Sequence, residues 1–381
     1  MAPLSVIAVA LAALSLVAIG AAALASRRRL AALLRLQATP LTEALLVVIP
    51  ARNEGANLRA HLPLVLAEPS ASLRVLVVDD RSSDDTAAVV DDVRARDPRV
   101  RLVRLLDEPG AGVYGKPRAL ARAVDDARAH GELPALALFL DADVAVAPGL
   151  AGALVAALRR EGAHALSGVP RLTLATAVEA LFLPTVVALL TGRVRPERVH
   201  DARAPDAFLN GQLIVVDTAA LAQVGGWLAV GDTVLEDVAL ARRMKQAGLR
   251  VRLCDVRALA ATRMYASFAE MARGFGKNAV ALAGPGVGAR ALVALGLSLA
   301  PWLALVLALL DHGGGARALV LSLFAVTLLV QAFARVAAGV PWWPVLVLPL
   351  SYVGAALMLV RATREHARRT PIEWRGRRYP R

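Results

Sequence analysis

The chain has almost no cysteine, because Cys254 is the only one among its 381 residues. A single thiol excludes an internal disulfide framework and a zinc site built from several thiolates. Histidine is also scarce, and the six residues are scattered without the spacing typical of metal ligands. No G-x-x-x-x-G-K-S/T segment is present, so a P-loop fold lacks its fingerprint.

Aromatic residues are few, at 4% of the chain, although the net charge is +13. The sequence shows no aromatic-rich surface for binding single-stranded nucleic acid and no motif of a DNA-recognition helix. The densest basic clusters flank apolar runs, where cytoplasmic charge bias and anionic headgroups explain them. We therefore expect no nucleic-acid partner and predict membrane lipids as partners instead.

Apolar residues are abundant, at 57% of the chain, and the mean hydropathy is +0.55, which is typical of a membrane protein. Residues 1–26 are long enough to span a bilayer, and Arg27 to Arg29 follow them. We predict an N-terminal transmembrane anchor with its basic end in the cytoplasm. A cleaved signal peptide is the alternative, but its basic residues would precede the apolar run.

Residues 290–360 form a second membrane region with about three hydrophobic segments, and residues 361–381 form a basic tail. Charge bias places both this tail and the middle of the chain in the cytoplasm, yet three crossings would place the tail outside. One segment is therefore expected to be re-entrant or interfacial, and the segment with Pro341, Pro344 and Pro349 is the first candidate. We predict a multi-pass protein of the cell (inner) membrane.

Residues 44–278 alternate short apolar runs with amphipathic stretches, which predicts an α/β sheet. Ligands bind such sheets at the carboxyl ends of the strands. Polar clusters follow three predicted strands, at 45–49, 74–78 and 136–140, as expected of one shared site.

Asp141 and Asp143 directly follow the predicted strand at 136–140. Two carboxylates at a strand end are costly unless a positive group binds there, and a divalent metal that carries a diphosphate meets this need. The alternative is that Asp141, Ala142 and Asp143 form a solvated turn. The polar clusters after the other two strands help to decide between a metal site and a turn.

Adjacent carboxylates at Asp79 and Asp80 can accept hydrogen bonds from a nucleobase edge or a ribose. Pro50 to Glu54 follow the first strand, where a turn with a capping Asn is the simpler interpretation. Lys116 precedes Pro117 at a predicted helix start and could face a diphosphate there.

Taken together, five stretches resemble the family 2 glycosyltransferases, which have a GT-A fold, a Rossmann-like nucleotide-diphospho-sugar transferase domain. Their order and spacing match over most of residues 44–278, the predicted catalytic domain. The apolar flanks and the tail from Trp374 to Tyr379 are similar to the hopene-associated and carotenoid-type members. The matching stretches are VVIPARNE at 47–54, VVDDRSSDDT at 77–86, GKPRAL at 115–120, LFLDADVAVAPG at 138–149 and LEDVALARRMKQAG at 235–248.

The resemblance implies a role for each matched residue. Asp237, beside Glu236, would be the general base of an inverting displacement, whereas helix capping is the alternative interpretation of this pair. Asp141 and Asp143 would hold Mg²⁺ or Mn²⁺ against the diphosphate. The residues implied to bind the nucleotide sugar, a UDP-sugar by resemblance, are Pro50, Arg52, Glu54, Asp79, Asp80, Lys116, Asp141 and Arg273.

Two departures from the family pattern matter. Polymerising members carry Q-x-x-R-W, but the corresponding stretch here begins with Glu270 and ends with Gly274. The missing aromatic favours transfer of a single sugar over processive synthesis. Arg81 stands where the family usually has a small residue, often Gly, and is expected to alter only the turn.

The acceptor side is less clearly indicated. Residues 175–190 predict a buried apolar helix or, as the alternative, an interfacial helix that admits a lipid. Asn210 to Gln212 and Gly225 to Trp227 resemble the family's acceptor region, where Trp227 could stack on a sugar or contact a lipid. The expected function is transfer of one sugar to a hopanoid- or carotenoid-like lipid acceptor at the cytoplasmic face. The alternatives are a processive polysaccharide synthase and a non-catalytic nucleotide-binding membrane protein.

Overall fold

A computed structural model describes residues 3–108, 113–311, 316–374 and 377–379. The helices are α1 (Pro3–Ala31), α2 (Gly55–Leu66), α3 (Thr86–Arg94), α4 (Gly115–Ala129), α5 (Leu150–Arg160), α6 (Ala177–Thr191), α7 (Pro196–His200), α8 (Thr218–Gln223), α9 (Glu236–Gln246), α10 (Phe268–Ala283), α11 (Val287–Leu310), α12 (Arg317–Ala337) and α13 (Leu348–Ala367). The strands are β1 (Leu34–Arg35), β2 (Leu45–Ala51), β3 (Leu73–Asp79), β4 (Val100–Arg104), β5 (Leu136–Leu140), β6 (Val144–Val146), β7 (Ala165–Val169), β8 (Arg171–Leu172), β9 (Leu213–Asp217), β10 (Val251–Asp255), β11 (Ala260–Thr262), β12 (Ile372–Trp374) and β13 (Arg377–Tyr379).

Eight strands form the central sheet in the order β1-β10-β7-β9-β5-β2-β3-β4, in which β9 alone is antiparallel to its neighbours. Its inner strands are apolar on both faces because helices cover both faces. Val47 and Ile49 pack with α2, α3 and α5, whereas Leu46 and Val48 pack with α4, α8 and α9. A smaller sheet, β6-β11-β8, lies beyond the end of β5.

Strand β2 continues through Pro50 to Ala51, further than the apolar run predicts. Its pairing with β5 stops at Val48 and Phe139, whereas its pairing with β3 continues to Ala51 and Asp79. Pro50 therefore has a neighbouring strand on one side only, where its missing N–H is tolerated. This extension carries the carboxyl ends of β2 and β3 to the same level.

Four helices within the described residues are long and apolar enough to cross a membrane: α1, α11, α12, and α13 together with the short 3₁₀ turn that precedes it. Helix α1 packs against α11 and α12 through small buried residues, among them Ala8, Ala12 and Ala304. Small side chains allow the close helix approach that lipid-embedded packing requires. Helix α13 instead packs against α6, α10 and α11.

The membrane segments differ in their bounds from the sequence-based expectation. Helix α1 runs past position 26, through the three arginines to Ala31. The predicted tail begins inside α13, which ends at Ala367, and then forms the hairpin of β12 and β13. Strand β12 of this hairpin lies beside α10.

Candidate active site

One cavity of about 1590 Å³ joins the carboxyl ends of the central strands to the membrane helices. It contains every predicted site residue except Asp79. From the soluble domain its walls include Pro50, Arg52, Glu54, Asp80, Lys116, Asp141, Asp143, Asn210, Gly211, Glu236, Asp237 and Arg273. From the candidate membrane-spanning helices they include Ala22, Ala23, Leu297, Ser298, Gln331, Arg335 and Tyr352, and the apolar helix α6 adds Thr185 and Ala188.

Asp141 and Asp143 lie immediately beyond β5, separated by the buried Ala142. The Asp141 backbone N–H donates to the Gln212 carbonyl at 2.9 Å, which holds the first carboxylate against the loop before β9. The Lys116 ammonium lies 2.6 Å from Asp141 Oδ1. The carboxylate lines the cavity and already has one cation, the Lys116 ammonium, as its partner.

Lys116 lies between Asp141, at the end of β5, and Glu236, at the start of α9. Its Nζ lies 3.5 Å from Glu236 Oε1 and donates to the Gly211 carbonyl at 3.0 Å. Burial by itself lowers the pKa of the ammonium, but the negative charges of Asp141 and Glu236 outweigh burial and raise it. Lys116 is accordingly protonated throughout the physiological range.

Asp237 is held by two backbone N–H groups. Gly211 donates to Oδ2 at 2.7 Å and Val238 donates to Oδ1 at 2.8 Å. Burial, followed by the charge of Glu236, raises the pKa of this carboxyl from 3.8 to about 7, against the opposing charge of Lys116. A carboxylate with a pKa near neutrality is suited to accept a proton at physiological pH.

Gly211 is a site residue whose specific role sequence reasoning missed. Its backbone N–H binds Asp237 and its carbonyl binds Lys116, so the two peptide units that flank this residue each hold one of the two charged groups. A Cβ added here would lie 2.9 Å from Asp237 Oδ2. The backbone approaches the carboxylate too closely for a side chain.

Asp79 and Asp80 are both buried, but Asp79 is not among the residues that line the cavity and is turned into its own loop. Its Oδ1 accepts hydrogen bonds from the backbone N–H and hydroxyl of Ser82. Asp80 faces the cavity instead, and its backbone carbonyl accepts from Arg52 Nη1 at 2.7 Å. Arg52 thus ties together the loops after β2 and β3.

The preference of the family for a small residue at position 81 has a conformational reason. Arg81 has φ of +56°, in the left-handed region that favours glycine. Its guanidinium donates from Nη2 to Glu108 Oε2 at 2.6 Å and forms a second contact with the other oxygen. This two-point ion pair joins the turn after β3 to the segment after β4, although Glu108 is largely exposed.

Helix α10 carries the stretch that corresponds to Q-x-x-R-W. Ser267 caps the helix by accepting the backbone N–H of Glu270, and the Glu270 side chain accepts the backbone N–H of Ala266, one residue before the cap. Arg273 is exposed on the cavity wall. A Cβ on Gly274 would lie 2.2 Å from Tyr265 Oη, so the Tyr265 ring occupies the space that a side chain at 274 would need.

Trp227 is not available to a sugar or lipid, which corrects the expectation from its sequence context. It is 2% exposed and packs edge-to-face on Phe139 of β5, with ring centroids 4.9 Å apart. Tyr265 lies on the cavity wall instead. It follows shortly after Thr262, whose hydroxyl contacts Gln212 Nε2 at 3.3 Å.

The strand-end carboxylates fit a divalent metal only as part of a shared site. No group of three or more metal-ligating side chains occurs in the described part of the chain. Asp141 and Asp143 supply hard oxygen ligands and leave the remaining positions of a six-coordinate ion to water and phosphate oxygens. This donor set suits Mg²⁺ or Mn²⁺ that arrives with a diphosphate.

Comparison with known proteins agrees with this architecture. PcManGT, a mannosyltransferase of Pyrobaculum calidifontis solved with GDP-Man and Mn²⁺, superposes with a TM-score of 0.51 and 19% identity, over 94% of this chain and 99% of that one. TarS of S. aureus, solved with UDP-GlcNAc, superposes with a TM-score of 0.42 and 13% identity, over 89% of this chain and 97% of the TarS chain. At these identities the likeness concerns the fold alone. No curated protein matches the sequence.

The sequence itself decides the family. Residues 43–276 match the family described as "Glycosyltransferase like family 2", which is more than half of the chain. The predicted α/β GT-A fold with apolar helices at both ends is confirmed. The chain belongs to the family 2 glycosyltransferases.

Proposed function

We propose that the protein is an inverting, membrane-bound glycosyltransferase that moves one sugar from a nucleotide-diphosphate sugar to a lipid hydroxyl at the cytoplasmic face. The observation that carries this proposal is the single cavity shared by the carboxylate cluster and the membrane helices. A soluble acceptor would not need walls formed by α1, α11 and α12. An amphiphile can place its hydroxyl at Asp237 and its apolar body along these helices.

The donor occupies the strand-end half of the cavity. Glu54 and Asp80 face the nucleoside, with Pro50 and Arg52 shaping the wall behind them. Asp141 and Asp143 hold Mg²⁺ or Mn²⁺, which neutralises charge on the departing nucleoside diphosphate when it is bound. PcManGT was solved with GDP-Man and Mn²⁺, which is in keeping with a divalent ion here. We propose a UDP-sugar donor from the family resemblance.

Asp237 accepts the proton of the acceptor hydroxyl as that oxygen attacks the anomeric carbon. The bond to the diphosphate oxygen breaks on the opposite face, so one displacement inverts the configuration. The Gly211 and Val238 N–H groups fix the carboxylate, and the raised pKa of Asp237 gives it the affinity for a proton that a general base needs.

We propose a lipid acceptor from the apolar part of the cavity. Ala22 and Ala23 of α1, Ala188 of α6 and Leu297 of α11 present small or apolar side chains. Such walls suit a hydrocarbon body rather than a glycan chain. A hopanoid- or carotenoid-like lipid is proposed from the family resemblance. Gly274, where polymerising members carry an aromatic, supports single-sugar transfer over processive synthesis.

The proposal is tested with membranes that contain the protein, UDP- and GDP-sugars, and Mn²⁺ or Mg²⁺. Mass spectrometry of the lipid extract should show one hexose-type mass added to one lipid class. Membranes carrying the Asp237→Asn variant are the matched control and should show no addition. Sugar found only in polymer would favour a processive synthase, and nucleotide binding without any transfer would favour a non-catalytic protein.

We also propose that α13 lies along the cytoplasmic face of the membrane and does not cross it. Its middle packs at Gly354 against Phe182 of α6 and Phe268 of α10, and its end packs at Thr363 against Gly288. Arg335, at the end of α12, donates to the Ala180 carbonyl of α6 at 2.9 Å, which places that end of α12 beside the soluble domain too.

The start of α1 and the end of α11 lie together, joined by a hydrogen bond from Ser5 Oγ to Asp311 Oδ2, and we propose that they lie at the opposite side of the membrane. With α1, α11 and α12 as the only crossings, the basic tail returns to the cytoplasm and charge bias is satisfied at both ends.

Reporter fusions test this topology. Green fluorescent protein fused after Arg381 should fluoresce, and alkaline phosphatase fused there should be inactive, because the tail is cytoplasmic. Fusions after Asp311, between α11 and α12, should show the reverse pattern. If the phosphatase fused after Arg381 is active, α13 crosses the membrane.

A further inference from the structure

Lys116 lies among three carboxylates that the proposed function divides between two tasks. Its ammonium contacts Asp141, of the metal pair, at 2.6 Å and Glu236, beside the base, at 3.5 Å. The charge of Asp237 also acts on it. The Lys116 side chain is 19% exposed, so solvent screens these interactions only in part. The ammonium balances a site that would otherwise hold a cluster of negative charges.

A divalent ion that takes Asp141 as a ligand disfavours this arrangement. An ion on Oδ1 would lie close to the ammonium, which is 2.6 Å from that oxygen, and an ion on Oδ2 would still be repelled by it across one carboxylate. We therefore expect the ammonium to move away from Asp141. Its other partners, the Gly211 carbonyl at 3.0 Å and Glu236, lie on the side of α9 and remain in reach.

A bound diphosphate would give the displaced ammonium a new partner. Lys116 is the second residue of α4, and Tyr114 to Pro117 all line the cavity. A helix start presents free N–H groups and a positive dipole end to an anion. The diphosphate is expected in front of α4, within reach of the side chain that leaves Asp141.

We propose that Lys116 is an exchangeable cation that occupies the metal-facing side of Asp141 in the donor-free enzyme and transfers to the donor diphosphate when metal and nucleotide bind together. This inference rests on the proposed metal role of Asp141 and Asp143. It assigns a binding order to the chain: the ion alone competes with Lys116 and binds weakly. The ion that arrives with a nucleoside diphosphate binds tightly, because the same step supplies the ammonium with phosphate oxygens.

The test measures Mn²⁺ binding by electron paramagnetic resonance on the purified full-length protein, without nucleotide and then with UDP or GDP. Lys116→Met should bind Mn²⁺ alone at least about tenfold more tightly than the unaltered protein, since a competing charge is gone. Nucleotide should strengthen Mn²⁺ binding at least about tenfold in the unaltered protein and clearly less in Lys116→Met. The inference is overturned if Lys116→Met binds Mn²⁺ alone no more tightly, or if nucleotide strengthens both proteins equally.

Three further variants separate the causes. Lys116→Arg keeps the charge and should retain weak binding of Mn²⁺ alone, which distinguishes competition from a folding defect. Lys277→Met removes a lysine from the same cavity on α10 and should leave Mn²⁺ binding unchanged. Asp143→Asn should weaken Mn²⁺ binding in every background. Binding that is lost in Asp143→Asn but unaffected by Lys116→Met would refute the exchange alone, whereas no Mn²⁺ binding in any protein would refute the proposed metal site and the exchange with it.

Discussion

Asp237→Asn is expected to lower the rate of sugar transfer by about 10²–10⁴-fold, the usual contribution of a general base. The amide has nearly the shape of the carboxylate, and its oxygen can still accept the N–H of Gly211 or Val238. It cannot take up the proton of an acceptor hydroxyl. The affinity for nucleotide diphosphate should change little, because the donor is held by groups at the ends of β2, β3 and β5.

The rate is measured as sugar incorporated into lipid, and donor affinity as UDP and GDP binding to the same preparation. Asp232→Asn is the matched control, since Asp232 is exposed and lies shortly before Asp237 in the chain. It should transfer sugar at the unaltered rate. Turnover of Asp237→Asn within about tenfold of the unaltered protein would show that another group removes the proton.

The central part of the site could be predicted from local sequence. Residues 136–140 form a short apolar run, which predicts a buried strand with Asp141 at its end. All of this strand is buried, and Asp141 and Asp143 lie at its carboxyl end. Glu236 and Asp237 are likewise the first two residues of a helix. Strand length and capping are local properties, which explains why these positions were predictable.

Roles that depend on distant partners were not predictable. Asp79 and Asp80 are alike in sequence, yet only the path of the loop turns Asp79 toward Ser82 and Asp80 toward the cavity. Trp227 follows two glycines in a loop-like stretch, but Phe139, on a strand far earlier in the chain, receives its ring. Gly211 meets Asp237 across 26 residues. Such pairings arise from tertiary packing, which neither periodicity nor composition encodes.

The membrane region shows the same limit in another form. Length and hydropathy identify α13 as a span as readily as α11 or α12. Charge bias indicates only that one of the three C-terminal segments does not cross the membrane, and does not say which one. Among the candidate spans, α13 packs most extensively against α6 and α10, in addition to its packing against α11, and α6 and α10 precede the C-terminal spans in the sequence. The number of crossings that charge bias requires and the packing of α13 together support our proposal that α13 lies along the membrane surface.

The pH dependence of transfer should report Asp237 directly. The carboxyl acts as a base only when ionised, and its pKa is raised from 3.8 to about 7. The ratio kcat/KM should therefore fall below about pH 7, by about tenfold for each pH unit, and level off above it. It is measured with purified protein at saturating metal between about pH 5 and pH 9, a range that brackets the shifted value.

Two variants identify the titrating group, because the causes of the shift differ in sign. Glu236→Gln removes a negative charge that raises the pKa of Asp237, so the acidic limb should move to lower pH. Lys116→Met removes a positive charge that lowers the pKa, so the limb should move to higher pH. Opposite displacements from two neighbours of one carboxyl would assign the limb to Asp237. If the acidic limb stays at the same pH in both variants, the titrating group is not Asp237, and the prediction is wrong.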